Sequence, residues 1–265
     1  MTKLLHPELS YQVRGVIFHV YNTLGPLLPE AFYQDAIIIG LEKRGLVCQA
    51  EKPFEVYYEG ERVGLYYVDV WIEAGKLILE IKVAPAIDPL HQAQAISYLK
   101  VTDADLAFVV NLGGSQAEIE RLPNFVRDRR VEFEWQPQPV GNGLLCPDLV
   151  NQIQRACHRV HFTLGPGFLH QIYRRATMIE LRRSGIGFEY VKRLPVEYEG
   201  HLLGHQDVRL IRVEDKLLLA TFALRQPDET LIQLLKARLR RLNLEIGLLA
   251  NFYHTKLTIT PVRIA

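Results

Sequence analysis

Residues 77–83 read LILEIKV, an apolar run interrupted by one Glu and one Lys. Leu77, Ile78, Leu79, Ile81 and Val83 mark an interior strand. Side chains on a strand alternate between faces, so Glu80 and Lys82 share one face while Ile81 points to the other. A carboxylate and an ammonium on an otherwise apolar strand are costly to bury unless they pair or hold a cation. The preceding strand, YYVDVWI over 66–72, contributes Asp69. An Asp followed by Glu-x-Lys on the next strand is the arrangement of a divalent-metal site with a lysine beside a bound water.

On the N-terminal side of these strands the apolar spacing predicts a helix over 9–24 with Val13, Ile17, Val20 and Leu24 on one face. A second helix starts at Pro29, read as its first helical residue, and stops at Gly45. Strands follow over 54–58, 63–72 and 77–83, separated by turns at Glu59-Gly60 and Gly75. Asp88-Pro89 caps a helix to about Lys100, and 106–111 is a further strand. Two helices, a strand meander, then helix and strand describe an α/β domain with a mixed sheet flanked by helices.

The chain then repeats this pattern. LGPLLPEAFYQDAI at 24–37 matches LGPGFLHQIYRRAT at 164–177, an offset of 140 residues. Under that offset Tyr33 meets Tyr173, Gly45 meets Gly185, Glu59-Gly60 meets Glu199-Gly200, and Val110-Asn111 meets Ala250-Asn251. A period this long means two copies of one domain rather than a solenoid. The expected domains are 1–135 and 145–265, with a polar, Pro- and Gly-containing linker within 124–147. Around Asp69 the register takes either no gap, which puts Arg209 at the corresponding position, or a two-residue gap, which puts Asp207 there.

Of 265 residues, 48% are hydrophobic and 23% charged, an ordinary balance for a domain with a real core. The net charge of +1 hides an asymmetry: residues 1–140 carry −6 and residues 141–265 carry +7. Such a division hints at different roles for the halves. No stretch is long and apolar enough to span a bilayer, and the first ten residues lack the apolar core of a signal peptide. Cys48, Cys146 and Cys157 form no CxxC pair and are odd in number, which argues against disulfides and for a reducing cytoplasm. Cys146 and Cys157 with His158 and His161 offer zinc ligands on paper, but structural thiols are the simpler reading.

Together these features resemble the GxxExxY proteins, and through them the PD-(D/E)xK nuclease superfamily, over nearly the whole of each half. In the first copy Leu27 stands where the motif has Gly, while Glu30 and Tyr33 match; in the second Gly167 and Tyr173 match, but His170 replaces Glu. The nuclease motif is Asp69, Glu80 and Lys82, followed by Gln94 and Tyr98 at the spacing of the QxxxY motif of RecB-like nucleases. The resemblance implies two tandem restriction-endonuclease-like folds and a Mg²⁺ or Mn²⁺ ion held by Asp69, Glu80 and the main-chain carbonyl of Ile81. It also implies a DNA or RNA substrate. In the second copy Ala220 and Phe222 replace Glu80 and Lys82, so only the first is expected to be competent, the two packing as an internal pseudo-dimer.

Each residue then has a candidate role. A hard cation held by oxygen ligands supplies the water, the charge stabilisation and the leaving-group help that phosphodiester hydrolysis needs. Lys82, partly desolvated beside it, is expected to have a lowered pKa and to orient or deprotonate the water, or to neutralise charge. Glu30 falls on an inward line with Tyr33, Ile37 and Leu41, near the metal's water shell, or else it serves the helix N-terminus. Gln94 and Tyr98, one turn apart, are placed to hold Lys82 or a phosphate. His91, three residues before Gln94, reads as a structural histidine, with a place flanking the site as the other reading, and His19 reads as solvated. The basic side chains Arg174, Arg175, Arg182, Arg183, Lys236, Arg238, Arg240 and Arg241 read as a phosphate-tracking platform or as a solvated surface. The competing functional reading is a binding module for nucleic acid or protein that no longer cleaves.

Overall fold

In this computed structural model, which describes residues 4–125, 132–137 and 145–264, the repeat recurs element for element. The first copy runs α1 (Pro7–Leu24), α2 (Glu30–Glu42), β1 (Cys48–Tyr58), β2 (Glu61–Ile72), β3 (Leu77–Lys82), α3 (Pro89–Thr102), β4 (Leu106–Asn111) and β5 (Glu118–Pro123). The second runs α4 (Pro147–Leu164), α5 (His170–Arg183), β6 (Phe188–Tyr198), β7 (His201–Val213), β8 (Leu217–Phe222), α6 (Glu229–Arg241), β9 (Ile246–Asn251) and β10 (Thr258–Arg263). Two compact units result: Met1–Tyr57 with Gly64–Glu132, and Tyr58–Val63 with Phe133–Ala265. Of the expected linker, residues 126–131 and 138–144 lie outside the described residues.

Each copy forms a mixed five-stranded sheet, ordered β1-β2-β3-β4-β5 and β10-β9-β8-β7-β6. β3 and β4 are parallel, as are β8 and β9. Parallel neighbours need a crossover, which α3 and α6 provide. In the first unit Val13, Ile17, Val20, Tyr33, Ile37 and Leu41 of α1 and α2 pack against Leu77, Leu79 and Ile81 of β3 and Phe108 and Val110 of β4. The odd-numbered residues of β3 therefore face these two helices. Glu80 and Lys82 are left on the opposite face, toward α3.

Two polar devices hold both copies in the same shape. The Tyr33 hydroxyl donates to the Gly25 carbonyl at 2.6 Å and accepts the Leu28 N–H at 3.1 Å, closing the turn between α1 and α2. Tyr173 repeats this with Gly165 at 2.8 Å and Phe168 at 3.2 Å. The fully buried Asn111, at the end of β4, accepts from the N–H groups of Ala84 (2.9 Å) and Gly113 (3.2 Å), pinning the segment that leaves β3. Asn251 does the same for Leu224 (3.1 Å) and Tyr253 (3.2 Å).

Several boundaries differ from expectation. Leu24 is 40% exposed because it closes the helix beyond the buried stripe. Pro29 is the N-cap of α2 rather than its first residue. β1 begins at Cys48, and β5 was not anticipated: EIERLP carries three charges and a proline, which mask a strand paired antiparallel to β4. All three cysteines are free thiols, and no helix among the described residues is long and apolar enough to cross a membrane.

Replacing Asn111 with Ala leaves two part-buried N–H groups, those of Ala84 and Gly113, without this acceptor. It should cost about 1–3 kcal/mol, and Asn251→Ala should cost a similar amount in its own unit. Urea-unfolding midpoints of the two variants against the parent measure this; a change within error for both would remove the asparagines from the fold's framework.

Candidate active site

The site begins where two strands part. β2 and β3 pair antiparallel through Ile72–Leu77, Trp71–Ile78 and Val70–Leu79, and this regular register ends at Val70. At the next position the Asp69 carboxylate accepts the Ile81 N–H at 2.7 Å, filling by side chain the bond a strand carbonyl would have made. The Asp69 carbonyl is in turn held by the Gln34 amide of α2, at 2.6 Å. Gln34 drew no attention in the sequence, because a lone glutamine on a helix carries no signal.

Glu80 is almost fully buried, and its two oxygens have different partners. Oε1 lies 2.6 Å from Lys82 Nζ, and Oε2 accepts the Tyr66 hydroxyl at 3.0 Å. Tyr66 stacks on Tyr98 of α3 with ring centroids 3.9 Å apart. Tyr98 thus supports the carboxylate through Tyr66, which the sequence reading missed; its position three residues before Asp69 was the available clue. Burial and the Glu80 charge push the Asp69 carboxyl up to about 8, against the opposing pull of the Ile81 N–H and Lys82. For Lys82 the expectation of a lowered pKa is corrected. Burial does pull it down, but the carboxylates of Glu80, Asp69 and Glu30 outweigh that and hold it above the ordinary lysine value.

The remaining expected members sit at the rim. Glu30 is exposed rather than turned inward: Tyr33, Ile37 and Leu41 are buried, but the first residue of α2 lies past the edge of the core. Its Oε1 accepts the Val83 N–H, just beyond β3, at 3.3 Å, so it still contributes to the local acidic field. Gln94 is half-buried on α3, and its side chain bonds no described residue. His91 is structural, as expected: with Asp88 it forms the capping box that starts α3. His19 is exposed.

The donor set fits a hard divalent cation. The Glu80 charge disfavours an ionised Asp69 in a largely dry place, a repulsion that a cation would relieve. Mg²⁺ commonly takes only one or two carboxylates and keeps several waters. Among the described residues there is no ready-made cluster of three or more His, Cys, Asp or Glu side chains, so such an ion would rely on water and main-chain oxygen for the rest.

In the second repeat Ile211 pairs with Leu219, and Val213 with Leu217. Matching this to Val70–Leu79 and Ile72–Leu77 shifts the local offset to 141, so Leu210 stands at the Asp69 position. The expected Asp207 or Arg209 is therefore wrong: the slip is one residue, taken up at a bulge in β7. Asp207 instead pairs with Arg193 and Arg209 on the surface. Ala220 and Phe222 occupy the Glu80 and Lys82 positions, as expected.

The basic residues have different individual surroundings. Arg174 is buried and lies over the Tyr190 ring. Arg175 donates to the Val63 carbonyl, while Arg182 and Arg183 pair with Glu61 and Glu59, all with the hairpin tip that belongs to the second unit. Nearby, Tyr58 donates to Glu180 at 2.7 Å. Arg241 donates to the Pro195 carbonyl, Lys236 and Arg238 are half-buried, and Arg240 is exposed.

Comparison with known proteins agrees with this architecture. The search of curated proteins returns no match. A solved structure described as the crystal structure of SSO0001 is similar at 14% identity over 45% of this chain and 79% of that one, with a TM-score of 0.24, a likeness too weak to carry weight. A family model for the PD-(D/E)XK nuclease superfamily matches residues 7–122 and again 147–263. With both repeats matched nearly end to end, the chain belongs to the PD-(D/E)XK nuclease superfamily.

Proposed function

We propose that the chain is a Mg²⁺- or Mn²⁺-dependent nuclease with a single working site in the first repeat, 1–135, and a non-catalytic second repeat, 145–265, of the GxxExxY type. The observation that carries this reading is the meeting of Asp69, Glu80 and Lys82 where β2 leaves β3, set against Leu210, Ala220 and Phe222 at the corresponding positions. Asp69, Glu80 and the Ile81 carbonyl would hold the ion, which when bound supplies an activated water and charge stabilisation for phosphodiester hydrolysis. Lys82, kept protonated by its acidic neighbours, suits stabilisation of developing negative charge better than proton abstraction. Tyr66 and Tyr98 position Glu80, and Gln34 fixes the main chain at Asp69. The substrate would be DNA or RNA, and one site predicts nicking or trimming rather than a concerted double-strand cut.

A second reading, a nucleic-acid- or protein-binding module without cleavage, draws support from Glu80. Both its oxygens are taken by Lys82 and Tyr66, so metal entry requires that pair to open.

Incubation of supercoiled plasmid and of single-stranded RNA with Mg²⁺ or Mn²⁺ should give nicked or shortened product. Lys82→Ala and Glu80→Gln should each lower the rate by about 100-fold or more; equal activity in parent and variants would assign cleavage elsewhere. Tyr66→Phe should cost less, about tenfold, because it loses one supporting hydrogen bond.

Asp69 also predicts a pH signature in chelator. Its folded pKa of about 8 exceeds the unfolded value of 3.8, so the folded state holds this proton more tightly. Its contribution is most favourable below the unfolded value and is lost as pH rises toward 8. The parent should therefore lose more thermal stability between about pH 5 and 8 than Asp69→Asn does. Parallel melting curves for the two proteins would refute the assignment.

A further inference from the structure

The second repeat has not merely lost its acidic site; the same place is charge-inverted. A cavity of about 260 Å³ is lined there by His170, Arg174, Arg209 and Arg238, with Leu210, Ala220 and Phe222 along its apolar side. By the repeat register these are the positions of Glu30 (His170), Gln34 (Arg174), Tyr98 (Arg238), Asp69 (Leu210), Glu80 (Ala220) and Lys82 (Phe222). Every carboxylate of the first site is gone, and three guanidinium groups have arrived.

These cations are poorly compensated. Among the described residues neither Arg174 nor Arg238 has a carboxylate partner, although one is buried and the other half-buried. Arg209 alone is paired, through the exposed Asp207 at 3.3 Å. Burial holds both Arg174 and Arg238 below the ordinary arginine value, and burial together with Arg174 and Arg209 does the same to His170. Arg209 also has φ +51°, a left-handed conformation that non-glycine residues adopt at a cost. The N-terminus of α5, which begins at His170, adds its partial positive charge. An unbalanced buried cation is expensive unless a ligand supplies the counter-charge.

We propose that this cavity is an anion site for a nucleoside phosphomonoester, with the phosphate against Arg174, Arg209, Arg238 and His170 and the nucleoside against Phe222 and Leu210. Guanidinium forks match the oxygens of a phosphate, and several of them suit a dianion better than a single carboxylate. The apolar wall calls for a body attached to the anion. The volume lies just under the roughly 300–1,000 Å³ of small-molecule pockets, which suits a terminal group rather than a large ligand. The phosphomonoester is supplied either by a free nucleotide or by the phosphorylated end of a strand. The inference rests on the second repeat alone and stands whether or not the first repeat cleaves.

The test uses the full chain in chelator, so that no cleavage intervenes. Isothermal titration compares a nucleoside 5′-monophosphate with the same nucleoside, and a 5′-phosphorylated oligonucleotide with its 5′-hydroxyl twin. The phosphorylated member should bind about tenfold or more tightly. Arg238→Gln should lose most of that preference while its melting temperature stays level or rises, since an unpaired half-buried cation is removed. Lys256→Gln, an exposed change outside the cavity, should keep the preference. Discrimination of the mononucleotide alone makes a free nucleotide the ligand, and discrimination of both makes it a strand end. Equal binding of phosphorylated and unphosphorylated forms, or a preference that survives Arg238→Gln, overturns the proposal.

Discussion

One hydrogen bond sets the geometry on which the first repeat's site depends. The Asp69 carboxylate takes the Ile81 N–H where β2 stops pairing with β3. A buried N–H must find an acceptor, and where these strands part the acidic side chain stands in for the missing carbonyl. That separation leaves Glu80 and Lys82 room on the α3 face while the odd-numbered residues of β3 stay locked under α1 and α2. Structural and chemical demands thus meet in one residue. An apolar substitution at this point removes the acceptor as well as the charge, as Leu210 does in the second repeat.

The two copies share a scaffold and differ in electrostatics. The turn-closing tyrosines Tyr33 and Tyr173 and the loop-pinning asparagines Asn111 and Asn251 make nearly the same hydrogen bonds at the same offset. Both devices satisfy main-chain groups at turns, where loss is expensive whatever the site does. The site positions carry no such obligation. Glu80 exchanged for Ala220 and Lys82 for Phe222 turns a buried ion pair into apolar packing, a change that is often neutral or favourable for stability.

Much of this was legible from residue order. The stretch around Glu80 and the 140-residue offset carried the strand, the mixed sheet and the duplication, because strand alternation and helix periodicity are local properties. β5 was not legible, since its charged residues satisfy no strand pattern and only pairing with β4 makes it one. Nor was the inward turn of Glu30 correct. Periodicity assigns a face, but it does not say where along a helix the core ends.

Residue order alone carries the two-copy architecture, the strand bearing Asp69's partners, and the loss of Glu and Lys from the second copy. Folding adds what periodicity has no means to express. It brought Tyr66 and Tyr98 together behind Glu80. It left Lys82 among enough carboxylates to keep its proton. It moved the counterpart of Asp69 by one residue to Leu210, through a bulge. It also gathered arginines from α5, β7 and α6 around one cavity. Hydrogen bonds and charge–charge interactions act through space between distant segments, and their strength depends on burial that only the folded chain creates.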